Sequence, residues 1–172
     1  MKERVCAAMP NIRQAQLIDA ATVIEILKEA AHWQAASGNP MWRDNEFAPG
    51  IIESDVARGL FHIAERNGEP AGVIRFQLED PEFWPEMPAG DSAYVHRLAV
   101  KRIHAGTGIS TALLRWAVER AQSIGRGFLR LDCEASRPRL RAIYERFGFS
   151  HHSDRQVGPY FVSRYELKIE IP

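Results

Sequence analysis

A run of small residues, Ala105-Gly106-Thr107-Gly108-Ile109-Ser110, lies between a strand-like stretch ending at Val100 and a helix-like stretch opening at Ile109. Backbone N–H groups in such a turn can converge on an anion, and the start of the helix adds unpaired donors and the favourable end of its dipole. Side chains at positions 106 and 108 would block close approach of a pyrophosphate, so phosphate oxygens are the natural ligand. Spacing alone reads equally well as an ordinary tight connection. It is not a Walker loop, because no Gly-x-x-x-x-Gly-Lys-Ser/Thr occurs. Nor is it a dinucleotide fingerprint: the third glycine is missing and Asp132 falls too late, on the next strand.

Two further groupings invite chemistry and are read blandly. His151-His152 with Asp154 has metal-ligand residue types, but neighbours on extended backbone point to opposite faces. Solvated loop residues are the expectation there, and no metal is assigned. Cys133 has no His or Lys beside it to activate a nucleophilic thiol, so it reads as a small buried side chain. Cys6 and Cys133 share no metal or disulfide spacing, which predicts two free thiols in a reducing compartment.

The elements that must position these residues follow from periodicity. Ile12 to Gln16 suits a short strand, and Asp19 is a plausible cap for a helix carrying Val23, Ile26, Leu27, Ala30 and Ala31, stopped by Gly38 and Pro40. Pro49-Gly50-Ile51-Ile52 opens a second helix running towards Gly59. Leu60–Arg66 and Ala71–Leu78 flank Asn67-Gly68 as an antiparallel hairpin. A proline-bearing loop from Asp80 to Gly90 presents Phe83 and Trp84 as exposed rim residues. Ser92 to Val100 alternates Tyr94, His96, Leu98 and Val100 on one face with Val95, Arg97 and Ala99 on the other. A helix with Ile109, Leu113, Ala117, Ala121 and Ile124 leads to a strand from Phe128 to Cys133. Ser136 then caps a helix with Pro138 in its first turn and a stripe of Leu140, Ile143, Tyr144 and Phe147, before a last strand over Tyr160–Ile171. The order is mixed α/β with one parallel crossover.

Composition bounds the reading. A chain of 172 residues makes one well-buried domain, and 1–172 is read as one. Lys plus Arg and Asp plus Glu both total 22, so no general attraction to nucleic acid or to an anionic membrane is expected. The opening Met1 to Pro10 lacks a signal-peptide core and no later segment approaches a membrane-spanning length, which gives a cytoplasmic expectation.

From Tyr94 to Ser150 the chain resembles the central motifs of the GNAT acetyltransferase superfamily. Arg97-Leu98-Ala99-Val100 matches its fourth strand, Gly106-Thr107-Gly108-Ile109 follows, and Ala142-Ile143-Tyr144-Glu145-Arg146-Phe147-Gly148-Phe149 comes last. A weaker similarity reaches Trp33 and Gly38-Asn39-Pro40-Met41-Trp42. The phosphate motif, usually Gln/Arg-x-x-Gly-x-Gly/Ala, puts Ala105 at the basic or amide position and Ser110 at the last small one. Both depart from the pattern but leave the backbone donors in place. Where members often carry an Asn that contacts coenzyme A, this chain has Arg137, which can instead meet a phosphate or pantetheine group.

The resemblance implies a mixed, mostly antiparallel sheet flanked by helices, with splayed fourth and fifth strands. Acetyl-CoA would be the cosubstrate, held by Leu98, Ala99 and Val100 backbone, by Ala105, Gly106, Thr107, Gly108, Ile109 and Ser110, and by Arg137. It also implies Tyr144 as general acid for the departing thiolate, where periodicity alone would pack that ring between Leu140 and Phe147. For the general base, His96, Asp132, Glu134 and Glu79 remain open, with His96 the first choice. Trp33, Trp42, Phe83 and Trp84 are candidates for the pocket of a small-molecule or peptide amine, or for packing. Dimers are common among similar proteins, so a homodimer is one expectation. Against the N-acetyltransferase stand a catalytically silent CoA-binding sensor and an interaction module that binds no CoA.

Overall fold

The computed structural model of the chain describes residues 9–171, so Cys6 lies outside the described residues. In chain order the elements are β1 (Asn11–Gln14), α1 (Ala20–Ala36), α2 (Pro49–Ala57), β2 (Phe61–Arg66), β3 (Glu69–Gln77), β4 (Ser92–Val100), α3 (Ile109–Ser123), β5 (Phe128–Glu134), α4 (Pro138–Phe147), β6 (Ser150–Val157) and β7 (Tyr160–Lys168). The strands follow the order β1-β2-β3-β4-β5-β7-β6. Neighbours β1 and β2, β5 and β7, and β6 and β7 are antiparallel, whereas β4 and β5 are parallel. This is the mixed α/β, mostly antiparallel arrangement expected. The chain divides into two compact units, the residues up to Val73 with Ala99–Leu113, and Ile74–Leu98 with the residues from Leu114 on.

In the first unit, α1 buries Val23, Ile26, Leu27 and Ala31 in one cluster with Phe47, Ile52 and Val56 from the α2 region and Phe61 and Ile63 of β2. Those four positions recur at helical spacing, which is why the stripe faces one way. Asp19 does stand at the N-cap of α1, but its side chain makes no cap hydrogen bond there. Its carboxylate instead accepts from the Gln16 N–H and takes a two-point contact from Arg13 at 2.7 and 2.9 Å. The Arg13 hydrogen bonds hold the Asp19 carboxyl below its ordinary value. At the hairpin, Asn67 (φ 54°) and Gly68 (φ 79°) both take positive angles, the requirement that Asn-Gly meets.

In the second unit, β5 pairs with β7 along its whole length, from Phe128 opposite Lys168 to Glu134 opposite Val162. Sequence reading expected one last strand over Tyr160–Ile171 and loop residues before it; β6 is an additional strand at the sheet edge. Its sequence, SHHSDRQV, buries only Val157, so it carries no apolar alternation to betray it. Trp84, expected exposed, is 2 % exposed. The guanidinium carbons of Arg164 and Arg130 lie 4.5 and 5.4 Å from its ring centroid, and Arg164 also donates to the Phe83 carbonyl. The 80–90 loop is thus anchored to β5 and β7 by cation–π contact. Helix α4 has Arg137, not Ser136, at its N-cap, and of the expected stripe Tyr144 is buried while Ile143 is exposed.

One glycine of the first unit marks a close approach. A Cβ on Gly72 of β3 would sit 2.8 Å from Ile109 Cγ2, 2.9 Å from the Ala99 carbonyl oxygen and 3.3 Å from Leu113 Cδ1. This strand therefore packs the first turn of α3 and the end of β4 directly against backbone. Gly72→Val is expected to cost about 1–3 kcal/mol through overpacking, read as a lower urea midpoint with unchanged m-value. An unchanged midpoint would show that the helix start does not rest on this strand.

Candidate active site

The glycine turn belongs to the first unit. Gly106 (φ 72°) and Gly108 (φ 87°) adopt left-handed angles with nothing within 4 Å of where a Cβ would lie, so backbone conformation rather than crowding requires glycine. The first helical bond of α3 runs from the Ala112 N–H to the Gly108 carbonyl. Among the described residues, the amides of Gly106, Gly108, Ile109, Ser110 and Thr111 donate to no backbone carbonyl. Arg66 on β2 donates to the Thr107 carbonyl at 3.0 Å, and Thr107 Oγ1 donates to the His104 carbonyl at 2.6 Å. With these carbonyls occupied, the turn offers an array of N–H donors at a helix start, which is an anion seat. Ala105 adds no donor to it, because its N–H already donates to the Arg102 carbonyl at 3.1 Å. In the same unit Trp33 carries the Arg102 guanidinium 4.0 Å from its ring centroid, and Trp42 packs edge-on against Phe47, so both rings are engaged in packing.

The titratable cluster belongs to the second unit and begins where β4 and β5 part. Their parallel pairing covers Ser92–Tyr94 opposite Phe128–Arg130 and stops there, although both strands run on. Three residues past Tyr94, Arg97 takes φ 52°, a left-handed angle that breaks the expected strict alternation: Ala99 is buried, whereas Leu98 and Val100 are only half-buried. Such a kink turns β4 and costs about 1–3 kcal/mol. Beyond the last paired residues, His96 and Asp132 face one another, with His96 Nδ1 3.4 Å from Asp132 Oδ1. Asp80, from the loop after β3, closes the group at 2.7 Å from His96 Nε2. Phe83 stacks near the imidazole, centroids 5.6 Å apart.

Tyr144 of α4 is buried, and its ring packs against Phe149 and Tyr165 at 6.0 and 6.3 Å. Its hydroxyl makes no hydrogen bond among the described residues. Burial first, then the neighbouring Cys133 and Asp132, raise its pKa well above the ordinary phenol value. It stays protonated throughout the working range, with its O–H available as a donor. Burial likewise pushes the Cys133 thiol up to about 12, so it is a thiol and not a thiolate. The remaining sequence candidates lie apart from this chemistry. Glu134 accepts from Arg137 Nε at 3.1 Å, Glu79 is exposed, and Arg137 is buried at the start of α4. His151 and His152 do not converge: His151 Nε2 meets Asp154 at 2.9 Å, while His152 meets Ser153 and stacks on Trp84.

The sequence profile of the acetyltransferase (GNAT) family matches residues 23–149. The chain belongs to this family. It is therefore an acetyl-CoA-dependent N-acetyltransferase. The N-acetyltransferase YesJ of Bacillus subtilis (strain 168) is 30% identical over 138 residues, covering 76% of each chain. A GNAT-family acetyltransferase from Listeria monocytogenes superposes with a TM-score of 0.80 at 23% identity, over 93% of this chain and 95% of that one. The PaiA N-acetyltransferase from Thermoplasma acidophilum, solved with coenzyme A, gives 0.73 at 18% identity, over 93% and 100%.

In this acetyltransferase the residue that sequence reading missed is Asp80. It sits 16 residues from His96 and 52 from Asp132, so no local spacing announces it. The only trace is an Asp opening a turn, where its Oδ1 accepts from the Phe83 N–H at 3.1 Å. Asp80, His96 and Asp132 each offer a ligand atom within 4.8 Å of the others, yet each ring nitrogen of His96 already faces a carboxylate. The group therefore reads as a proton network. Burial opposes the His96 imidazolium, but the Asp80 hydrogen bond and the charges of Asp132 and Asp80 outweigh it and raise the pKa. Burial raises Asp132 to about 6 against the pull of His96.

Both groups hold their protons more tightly folded than unfolded, so the folded state binds the extra protons and stability falls as pH rises. The Asp132 share is lost between the unfolded value of ~3.9 and about 6, and the His96 share above ~6.5. At ~1.4 kcal/mol per unit, the Asp132 share is on the order of 2–3 kcal/mol. The urea midpoint is expected to drop from pH 4.5 to 8, and Asp132→Asn to remove the part of the drop below pH 6. A wild-type midpoint that climbs through this window contradicts the assignment.

Proposed function

We propose that this acetyltransferase passes the acetyl group of acetyl-CoA directly to a primary amine of a small molecule, or of a peptide or protein. The single observation that carries the reading is a buried phenol with an unshared O–H, Tyr144, in the same unit as a hydrogen-bonded base cluster at His96. Acetyl-CoA supplies the thioester carbonyl and a thiolate leaving group. Tyr144, protonated in the resting enzyme, gives its proton to the departing thiolate and recovers one from solvent afterwards, and the His96 cluster receives the proton released by the amine.

The amides of Gly106, Gly108, Ile109, Ser110 and Thr111 and the left-handed glycines fit a pyrophosphate, which supports assigning Gly106, Gly108, Ile109 and Ser110 to that part of the cosubstrate, together with Thr107, whose own N–H donates to the His104 carbonyl and holds the turn. Ala105 is assigned only for its place in the turn, since its N–H donates to the Arg102 carbonyl. The kinked backbone of β4 at Leu98, Ala99 and Val100 suits the amides of the pantetheine arm, which would add to the strand. Arg137 is assigned to the same cosubstrate, with Glu134 orienting its Nε. A direct transfer is favoured over an acyl-enzyme because the Cys133 thiol is held protonated. The family match over 23–149 supports reading 1–172 as one acetyltransferase domain, and the buried free thiol of Cys133 supports work in the reducing cytoplasm. No helix among the described residues is long and apolar enough to cross a membrane.

Acetyl-CoA at 100 times its Kd is expected to stabilise the protein by about 2.7 kcal/mol, read as a raised Tm. Ser110→Asp keeps the helix start favourable but sets a carboxylate against the phosphates, and is expected to abolish the rise. Tyr144→Phe is expected to keep the rise and lower kcat for any acceptor found by about 10²–10⁴. No rise at saturating acetyl-CoA, or full activity in Tyr144→Phe, overturns the reading.

A further inference from the structure

The three members of the base cluster are not equivalent. Asp80 has both oxygens committed: Oδ1 accepts from the Phe83 N–H at 3.1 Å and Oδ2 faces His96 Nε2 at 2.7 Å. Its backbone carbonyl also accepts from the Trp84 N–H at 2.9 Å, and Trp84 is wedged against Arg130 and Arg164. Asp80 is thus held by an anchored loop, and through it the imidazole is held on one edge. The other nitrogen of His96 is turned towards Asp132, 3.4 Å from Oδ1, which leaves the ring no open edge although the contact is not aligned as a hydrogen bond. Asp132 is the exception. Its Oδ1 is buried yet meets no aligned hydrogen-bond donor, and it lies two residues past Arg130, the last position at which β5 pairs with β4. Buried carboxylate oxygens are ordinarily satisfied, and one that is not marks a place where a donor arrives.

From this asymmetry we propose that Asp132 is the group that takes the proton from the acceptor amine, that His96 remains an imidazolium throughout, and that Asp80 is a positioning residue acting through His96. This rests on the acetyltransferase reading and resolves which member of its base cluster is reactive. In the step, the N–H bond of the amine breaks as its lone pair is committed to the new bond. The proton passes to Asp132, whose carboxylate becomes a carboxylic acid and later returns the proton to water. The imidazolium does not change its protonation; it steadies the carboxylate beforehand. The groups bearing on Asp132 are His96 and Arg97 from β4, Asp80 and Glu82 from the loop, and Cys133 and Tyr144 beside it; those bearing on His96 are Asp80, Asp132 and Arg75 from β3. An ionised Asp132 at neutral pH, with an affinity for protons near the working range, matches the needs of a general base.

The test is an NMR titration of the full chain, with ¹³C at aspartate side-chain carboxyls and ¹⁵N in histidine rings. The proposal expects Asp132 to titrate near pH 6 and His96 to keep both nitrogens protonated to a higher pH than that at which Asp132 ionises. Methylammonium, used as the amine probe, is expected to shift the Asp132 carboxyl and not the His96 ring. In His96→Gln the Asp132 midpoint is expected to move higher, because the opposing cation is gone; in Asp80→Asn the His96 ring is expected to lose its proton at a lower pH than in the wild type. A merely structural Asp80 would lower Tm and leave that ring signature unchanged. If instead His96 loses its proton between pH 6 and 7 while Asp132 stays ionised to pH 4, His96 is the base and the proposal fails. The acetyl-CoA Tm shift on the same samples separates the cases: its loss defeats the acetyltransferase reading, whereas a retained shift with the reversed titration defeats only the assignment of Asp132.

Discussion

Backbone pairing between β4 and β5 stops at Tyr94 and Arg130, although both strands continue for several residues. Backbone N–H and C=O groups are obligatory hydrogen-bonding partners, so a strand edge opened inside a sheet has to be satisfied by something else. Here β7 takes the far side of β5 along its full length, which leaves the opening confined to the edge facing β4. The left-handed Arg97 lies three residues past the last pair, where the strands have already parted. Continued in register, a regular strand would set His96 opposite Asp132, two residues past the last pair; the positive φ at the residue after His96 departs from that geometry at a cost in backbone strain that the folded unit must offset. The buried charge cluster sits where it does because pairing ended one step earlier.

The chemistry follows from what surrounds that opening. Desolvation raises Asp132, and it raises Tyr144, but the consequences differ. For the carboxylate the shift brings proton affinity towards the neutral range; for the phenol it keeps the proton in place in the resting enzyme. One burial effect therefore sets an ionised carboxylate and a protonated phenol side by side, as the proposed base and acid require. In the first unit the glycine turn is suited to an anion by a different means. Ala105 lacks the side chain usual in the phosphate motif, and what remains is a set of free amides shaped by Gly106 and Gly108 and steadied by Arg66 on the Thr107 carbonyl.

Much of this was legible in the chain. The stripe of α1, the Asn67-Gly68 hairpin, the bounds of β4 and the glycine turn all rest on local periodicity or on one residue's φ preference, and these are properties that a sequence carries openly. Strand β6 was not legible, because an edge strand exposed on both faces has no apolar alternation. Trp84 was misread for the opposite reason: prolines around it suggested a solvent-facing rim, and the two arginines that bury it come from β5 and β7. The bulge at Arg97 had no signal, since arginine has no preference for positive φ. Among the candidate site residues, family motifs pointed to Tyr144 and the turn, and residue type pointed to His96. Asp80 could not have been found, for its role exists only once the 80–90 loop is anchored.

The central claim is that β4 presents unpaired backbone beyond Tyr94 to the cosubstrate, and amide hydrogen exchange across β4 with and without coenzyme A reads it most directly. The account predicts that Tyr94 and Leu129 exchange slowly in both states. The β5-facing amides among Val95, His96, Arg97 and Leu98 should exchange fast in the free protein and slow by at least about tenfold when coenzyme A is bound. Slow exchange throughout β4 without ligand, or fast exchange that coenzyme A leaves untouched, would contradict it.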